Sequence, residues 1–127
     1  MALLLAMKFN RVEIVELLLS SSTSQRLDVN LQDVCGMTVL INVSFRGHIA
    51  AVKLLLSRPE LDVNLQDGYG NTAIMIASSL GNIEIVELLL SRSEINIDLQ
   101  NEWGRTALMI ASYKKHKNVI SLLENHI

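Results

Sequence analysis

The sequence predicts an all-α repeat solenoid, with stacked helix-turn-helix units joined by β-hairpin-type fingers, and three observations carry that prediction. The stretch "DVCGMTVLINVSFRGH", Asp33 to His48, returns as "DGYGNTAIMIASSLGN", Asp67 to Asn82, and again as "NEWGRTALMIASYKKH", Asn101 to His116. Gly36, Gly70 and Gly104 are spaced by 34 (70 − 36 and 104 − 70), and the same step carries Thr38 to Thr72 and Thr106. Self-similarity at such a period marks units that bury their apolar faces only against neighbouring units. Within a period, two short apolar segments, separated at Gly47 and Gly81 by a glycine, are followed by a turn-rich link, which gives a helical hairpin and a finger.

Taken in chain order, the first unit (1–32) is incomplete. Ala2 to Ala6 align with a first helix, and Leu17 to Leu19 match Leu54 to Leu56 and Leu88 to Leu90 of later second helices. The interval there is 37 (54 − 17) rather than 34, and the excess is assigned to the polar loop Ser20 to Gln25, since loop closure entropy grows slowly with length. Three fuller units follow, 33–66, 67–100 and 101–127. In each, the threonine caps a first helix, as Thr72 does before Ala73 to Ala77. Gly47 and Gly81 end that helix where a positive φ is cheap. The segment "NIEIVELLLS" then forms a second helix with Ile83, Ile85, Val86, Leu88, Leu89 and Leu90 apolar and Glu84 and Glu87 polar. The links "LDVNLQDGYGN" and "INIDLQNEWGR" have Asx and Gly turn chemistry flanked by single apolar residues, which suits an extended two-stranded finger.

The two ends differ. Glu124 stands where the other second helices have a third Leu, and Lys114, Lys115 and Lys117 surround His116, so the last unit is expected to act as a polar terminal cap. The Leu-rich face of the first unit lacks a preceding partner, and further repeats are expected upstream of Met1. A monomer is expected, with this face as the surface through which a second copy could pair.

Composition narrows the function classes. Lys plus Arg is 11 against 13 for Asp plus Glu, a formal net charge of −2, without the basic footprint that nucleic-acid binding requires. Apolar runs such as Ala2 to Met7 fall far short of the roughly 18 residues that suggest a membrane span. No basic residue precedes "MALLLAM", which is expected to start a helix rather than a targeting signal. The single cysteine, Cys35, excludes an intramolecular disulfide and fits a reducing compartment, cytoplasm or nucleus.

The repeat resembles the ankyrin repeat. The likeness lies in the Gly-x-Thr step, in Leu40, Ile74 and Leu108 at the family's Leu, and in Val43, Ala77 and Ala111 at its small residue. It extends to the Gly-His or Gly-Asn step and the Val/Ile-x-Leu-Leu of the second helix. Against the family pattern, Val39, Ala73 and Ala107 replace Pro, while Ile41, Met75 and Met109 replace a His that ties units together, so packing is expected to substitute for those hydrogen bonds. The resemblance implies a non-catalytic protein-protein interaction module that binds a protein or peptide segment in a concave groove.

Catalytic and metal chemistry finds no residue pattern, and no cofactor is predicted. His48, His116 and His126 have no paired ligands at metal spacing. Glu13 with Glu16 and Glu84 with Glu87 recur on equivalent helices, as a solvated face does. Asp33 and Asp67 recur as finger-turn residues, and the glycines fall singly rather than in a phosphate-binding loop. The "NVS" at Asn42 matches a glycosylation acceptor pattern but lies inside a predicted helix.

The five aromatic residues are the informative feature. Superposed units put Tyr69 and Trp103 at finger tips, with Phe45, Tyr113 and Phe9 near the ends of first helices, all on the groove side that the resemblance identifies. Aromatic side chains at such places are binding anchors or, on the other reading, braces between fingers and padding at helix ends. Lys8, Arg46, Arg105 and Lys114 make that side basic against Glu102, while Glu13, Glu16, Glu60, Glu84, Glu87 and Glu94 lie behind. The predicted binding set is therefore Phe45, Arg46, Tyr69, Asn71, Trp103, Arg105, Tyr113 and Lys114, and the predicted partner is an acidic or carboxylate-bearing protein segment. Two other readings stay open: a regulatory or targeting segment of a larger enzyme, and a structural spacer with no ligand.

Overall fold

A threonine opens the first helix of each of the three fuller units. In the computed structural model, which describes residues 2–9, 11–20 and 27–126, the hydroxyls of Thr38, Thr72 and Thr106 accept hydrogen bonds from the N–H groups of Ile41, Met75 and Met109 at 3.1, 3.3 and 3.3 Å. Each such cap satisfies a donor that the helix itself cannot, and contributes about 1 kcal/mol. Among the described residues the helices are α1 (Ala2–Lys8), α2 (Val12–Ser20), α3 (Val39–Arg46), α4 (Ile49–Leu56), α5 (Ala73–Leu80), α6 (Ile83–Leu90), α7 (Ala107–Lys114) and α8 (Lys117–Asn125). From residue 21 onward, the loop insertion expected at Ser20 to Gln25 falls outside the described residues.

The turn between paired helices needs a left-handed residue. Gly47 and Gly81 supply it at φ 71° and 69°, whereas the last hairpin places Lys115 there at φ 63°, a conformation that costs a side chain roughly 1–2 kcal/mol. Asn82 then caps α6, its Oδ1 accepting from the Ile85 N–H at 3.2 Å. Helices α1, α3, α5 and α7 pack in one layer and α2, α4, α6 and α8 in another. The core runs between the layers through Val43, Ala77 and Ala111 on one side and Leu55, Leu89 and Leu123 on the other.

The fingers are shorter than the two-stranded form expected. Asp33 N–H donates to the Met37 carbonyl at 3.0 Å, and Asp33 Oδ1 accepts from the Cys35 and Met37 N–H groups. The same closure recurs at Asp67 to Asn71 and at Asn101 to Arg105. Each finger is thus a five-residue turn folded around an Asx side chain, an arrangement these residues favour. Neighbouring fingers share one backbone bond, Gly68 N–H to Cys35 O at 2.8 Å and Glu102 N–H to Tyr69 O at 2.9 Å. Among the described residues no strand forms. The approach is close enough that a Cβ on Gly70 would lie 2.9 Å from Asn101 Cα.

Packing does replace the family's histidine, as expected, where a following unit is present. Ile41 and Met75 are each 1% exposed, while Met109, in the last hairpin, is 52% exposed. The links add hydrogen bonds between units that the sequence reading did not foresee. Asn30 donates from Nδ2 to Glu60 O and accepts at Oδ1 from the Asp62 N–H, and Asn64 repeats the pair with Glu94 O and the Asn96 N–H. Gln32 and Gln66 reach across in the same way to Gln66 O and Gln100 O. Arg92 adds bonds to Leu56 O and Leu61 O at 3.0 and 3.1 Å. Such bonds contribute on the order of 1 kcal/mol each, and leaving the backbone groups unpaired would cost more.

Candidate functional site

The finger and first-helix rows meet along one side of the solenoid. There, a cleft of about 250 Å³ is lined by Asn71, Trp103, Arg105, Tyr113 and Lys114 of the predicted set. Tyr69 joins them through Trp103, since the two rings stack with centroids 5.8 Å apart and planes 17° from parallel. The Arg105 guanidinium lies over the Tyr113 ring, 5.7 Å from its centroid, within the range of a cation–π contact. The expected bracing role of Tyr69 and Trp103 is therefore present, yet both rings remain exposed. Six of the eight predicted residues come together.

Phe45 and Arg46 do not join that group. They sit on α3, separated from α7 by α5. Phe45 is exposed, and Arg46 lines a small crevice with Arg11 and His48 between the first two hairpins. Phe9 is also displaced from the groove assignment: it lines an end-face cleft with Leu5, Ile14 and Leu18, and the Lys8 ammonium lies 5.8 Å from its ring centroid. That end face is apolar. Ile14 is 45% exposed, whereas Ala51, Ile85 and Val119 at the equivalent place are each 0% exposed.

Electrostatically the groove and the back differ. Among the described residues the side-chain ion pairs are Arg58 with Glu60 and Arg92 with Glu94, both in the links between units. Arg105 and Lys114 are exposed and form no ion pair with a described residue, while Glu84 and Glu87 are exposed on α6. Glu94 is held below the ordinary carboxylate range, first by its own backbone N–H and then by Arg92 and Ser93.

Other candidate chemistry has local explanations. His116 Nε2 bonds to the Ser79 carbonyl at 3.0 Å, tying the fourth hairpin to the third. Asn42 is half-buried within α3, as the helix placement of its acceptor pattern implied. Cys35 is an exposed free thiol at a finger tip. Among the described residues no group of three or more His, Cys, Asp or Glu side chains is placed to hold a metal ion, and no helix is long and apolar enough to cross a membrane. Sequence reasoning missed Met75, Ile76, Ser79, Asn101 and Ile110, which complete the cleft lining. Aligning Ser79 with Phe45 and Tyr113 at the 34-residue step was the signal that could have found it.

Two family models match the chain. One, describing ankyrin repeats in three copies, spans residues 3–101, and the other, describing ankyrin repeats in many copies, spans residues 79–124. No curated protein matches the sequence.

Proposed function

The chain belongs to the ankyrin-repeat family, and from that premise we propose that it is a non-catalytic module holding an acidic protein segment in the groove between fingers and first helices. Repeats of this family generally serve as protein-protein interaction modules. The observation that carries the proposal is the convergence of Trp103, Tyr113, Arg105, Lys114 and Asn71 on one cleft. Large rings and cations without ion pairs around a shared hollow are the usual makings of a binding hot spot, and aromatic and Arg anchors dominate such energetics. Tyr69 extends the aromatic surface through its stack on Trp103, and Phe45 stands exposed on α3, apart from the cleft.

Charge supplies orientation. Arg105 and Lys114 face an incoming segment on the groove side, while the exposed Glu84 and Glu87 of α6 disfavour an acidic segment behind. The stacked hairpins hold these side chains on a framework that is already ordered, which lowers the ordering cost of binding. A cytoplasmic or nuclear setting belongs to the same reading, resting on the single cysteine, Cys35.

Affinity capture from cell lysate tests the proposal, comparing the parent with a Tyr69→Ala, Trp103→Ala, Tyr113→Ala variant whose helicity is verified by circular dichroism. The reading expects specific partners with the parent, lost with the variant, and expects the bound segments to be acidic. Capture of the same proteins by both forms would remove the groove as the working surface.

A further inference from the structure

The row of first-helix side chains beside the fingers has a gap in it. Residues at the 34-residue step are Phe45, Ser79 and Tyr113 (45 + 34 = 79, 79 + 34 = 113). The flanking rings are 55% and 75% exposed, whereas Ser79 between them is half-buried and short. Where a third ring would stand there is instead the cleft of about 250 Å³, walled by Trp103 and Tyr113 and reaching down to the buried Met75 and the half-buried Ile76 and Ile110. That volume is below the roughly 300–1,000 Å³ of sites for drug-sized ligands. It matches a single large side chain.

The charged groups lining the notch, Arg105 and Lys114, are both cations. Asn71 Oδ1 accepts from Asn101 Nδ2 at 3.0 Å, and its NH₂ adds a donor beside the cleft. Asn101 Oδ1 is occupied by the Trp103 and Arg105 N–H groups. Arg105 and Lys114 contribute cations that form no ion pair among the described residues, and Arg105 lies over the Tyr113 ring. The acid nearest in sequence, Glu102, is exposed on the finger and does not line the cleft. The floor is firm, because His116 Nε2 holds the Ser79 carbonyl at 3.0 Å. Apolar depth beside two cations and an amide donor suits an apolar group that has a carboxylate next to it.

We propose that the notch at Ser79 receives one bulky apolar or aromatic side chain of an extended peptide segment, whose adjacent Asp or Glu carboxylate is bound by Arg105 and Lys114. This rests on the groove reading above and narrows it to a two-residue recognition element. Ser79 sets the specificity by being small: a ring there, as at the equivalent positions of α3 and α7, would occupy the space meant for the partner.

A random dodecapeptide library displayed on phage, panned in parallel on the parent, on Ser79→Phe and on Ser79→Ala, tests the inference. Equal helicity of the three proteins is verified by circular dichroism. The parent and Ser79→Ala are expected to enrich peptides that pair a large apolar residue with a neighbouring Asp or Glu. Ser79→Phe is expected to lose them, and replacing the large residue of an enriched peptide by Ala should weaken its binding about tenfold. Enrichment without that pairing, enrichment unchanged on Ser79→Phe, or no enrichment at all overturns the proposal. Peptides retained on Ser79→Phe but lost on the triple Tyr69, Trp103, Tyr113 variant would sink the notch and leave the groove standing. Peptides indifferent to the triple variant would sink both.

Discussion

Replacing Gly81 by Ala should cost clearly more than the same change at Gly47, although the two glycines hold equivalent positions at nearly the same φ, 69° and 71°. The backbone term is shared: a left-handed Ala costs roughly 1–2 kcal/mol, partly offset by a less flexible unfolded chain, for a net of about 1 kcal/mol. The surroundings differ. A Cβ on Gly47 meets only Asn82 Nδ2 at 3.5 Å, an ordinary contact, while a Cβ on Gly81 would lie 2.6 Å from His116 Nδ1 and 2.7 Å from its Cε1. The imidazole must swing away and give up its bond to Ser79 O, adding about 0.5–1.5 kcal/mol. Gly81→Ala should therefore destabilise by about 2 kcal/mol and Gly47→Ala by about 1 kcal/mol. Lys115→Gly, at the third equivalent position, should stabilise by about 0.5–1 kcal/mol by relieving the φ of 63°. Urea denaturation of the three variants gives these values. A double-mutant cycle with His116→Asn isolates the ring contact, because the shorter side chain should bring the Gly81→Ala cost down to that of Gly47→Ala. Hydrogen exchange should quicken chiefly in α7 and α8, since stability in a stacked array is set by the interface each unit makes with its neighbour. Equal costs at the two glycines, or a cycle showing no coupling to His116, would refute the reasoning.

Other expectations can be checked alongside. Asn64→Ala removes the bonds to Glu94 O and from the Asn96 N–H, and should lower stability by about 1–3 kcal/mol in urea, whereas the exposed Asp98 tolerates Ala with little change. Glu94 has a lowered folded-state pKa, so its contribution is complete above the unfolded value and disappears as pH falls through the folded one; acid titration of Glu94→Gln should show a shallower loss of stability in the acidic range, and an unchanged profile would count against the Glu94 contacts. Binding of an acidic segment in the groove should weaken steeply as salt rises from 50 to 500 mM and should be unaffected by Glu84→Gln, as judged by isothermal titration.

What the sequence disclosed was what depends on neighbours along the chain. The Thr38, Thr72 and Thr106 caps, the left-handed stops at Gly47 and Gly81 and the paired helices are local chemistry, and each stands where the 34-residue step put it. The cross-links were not legible, because Asn64 and Gln66 within "VNLQ" read as turn residues until stacking brings a neighbouring link within 3 Å. Asx and Gly turn chemistry between single apolar residues predicts a two-stranded finger, yet the Asp67 carboxylate closes the turn within five residues. Side-chain direction limited the site reading: Arg46 ends a first helix and Phe9 directly follows one, but they line the crevice and the end face beside the first hairpin. Ser79 was overlooked because it matters as a missing ring, visible only when the first-helix rows are laid against one another.

The most direct test of the groove is amide chemical-shift mapping of the labelled protein as a captured acidic segment is titrated in. The account predicts perturbations confined to residues 69–71, 79, 101–105 and 113–114, with the indole N–H of Trp103 among the largest. Shifts centred on α4, α6 and α8, or on the end face around Leu5 and Ile14, would contradict it and move the binding surface elsewhere on the solenoid.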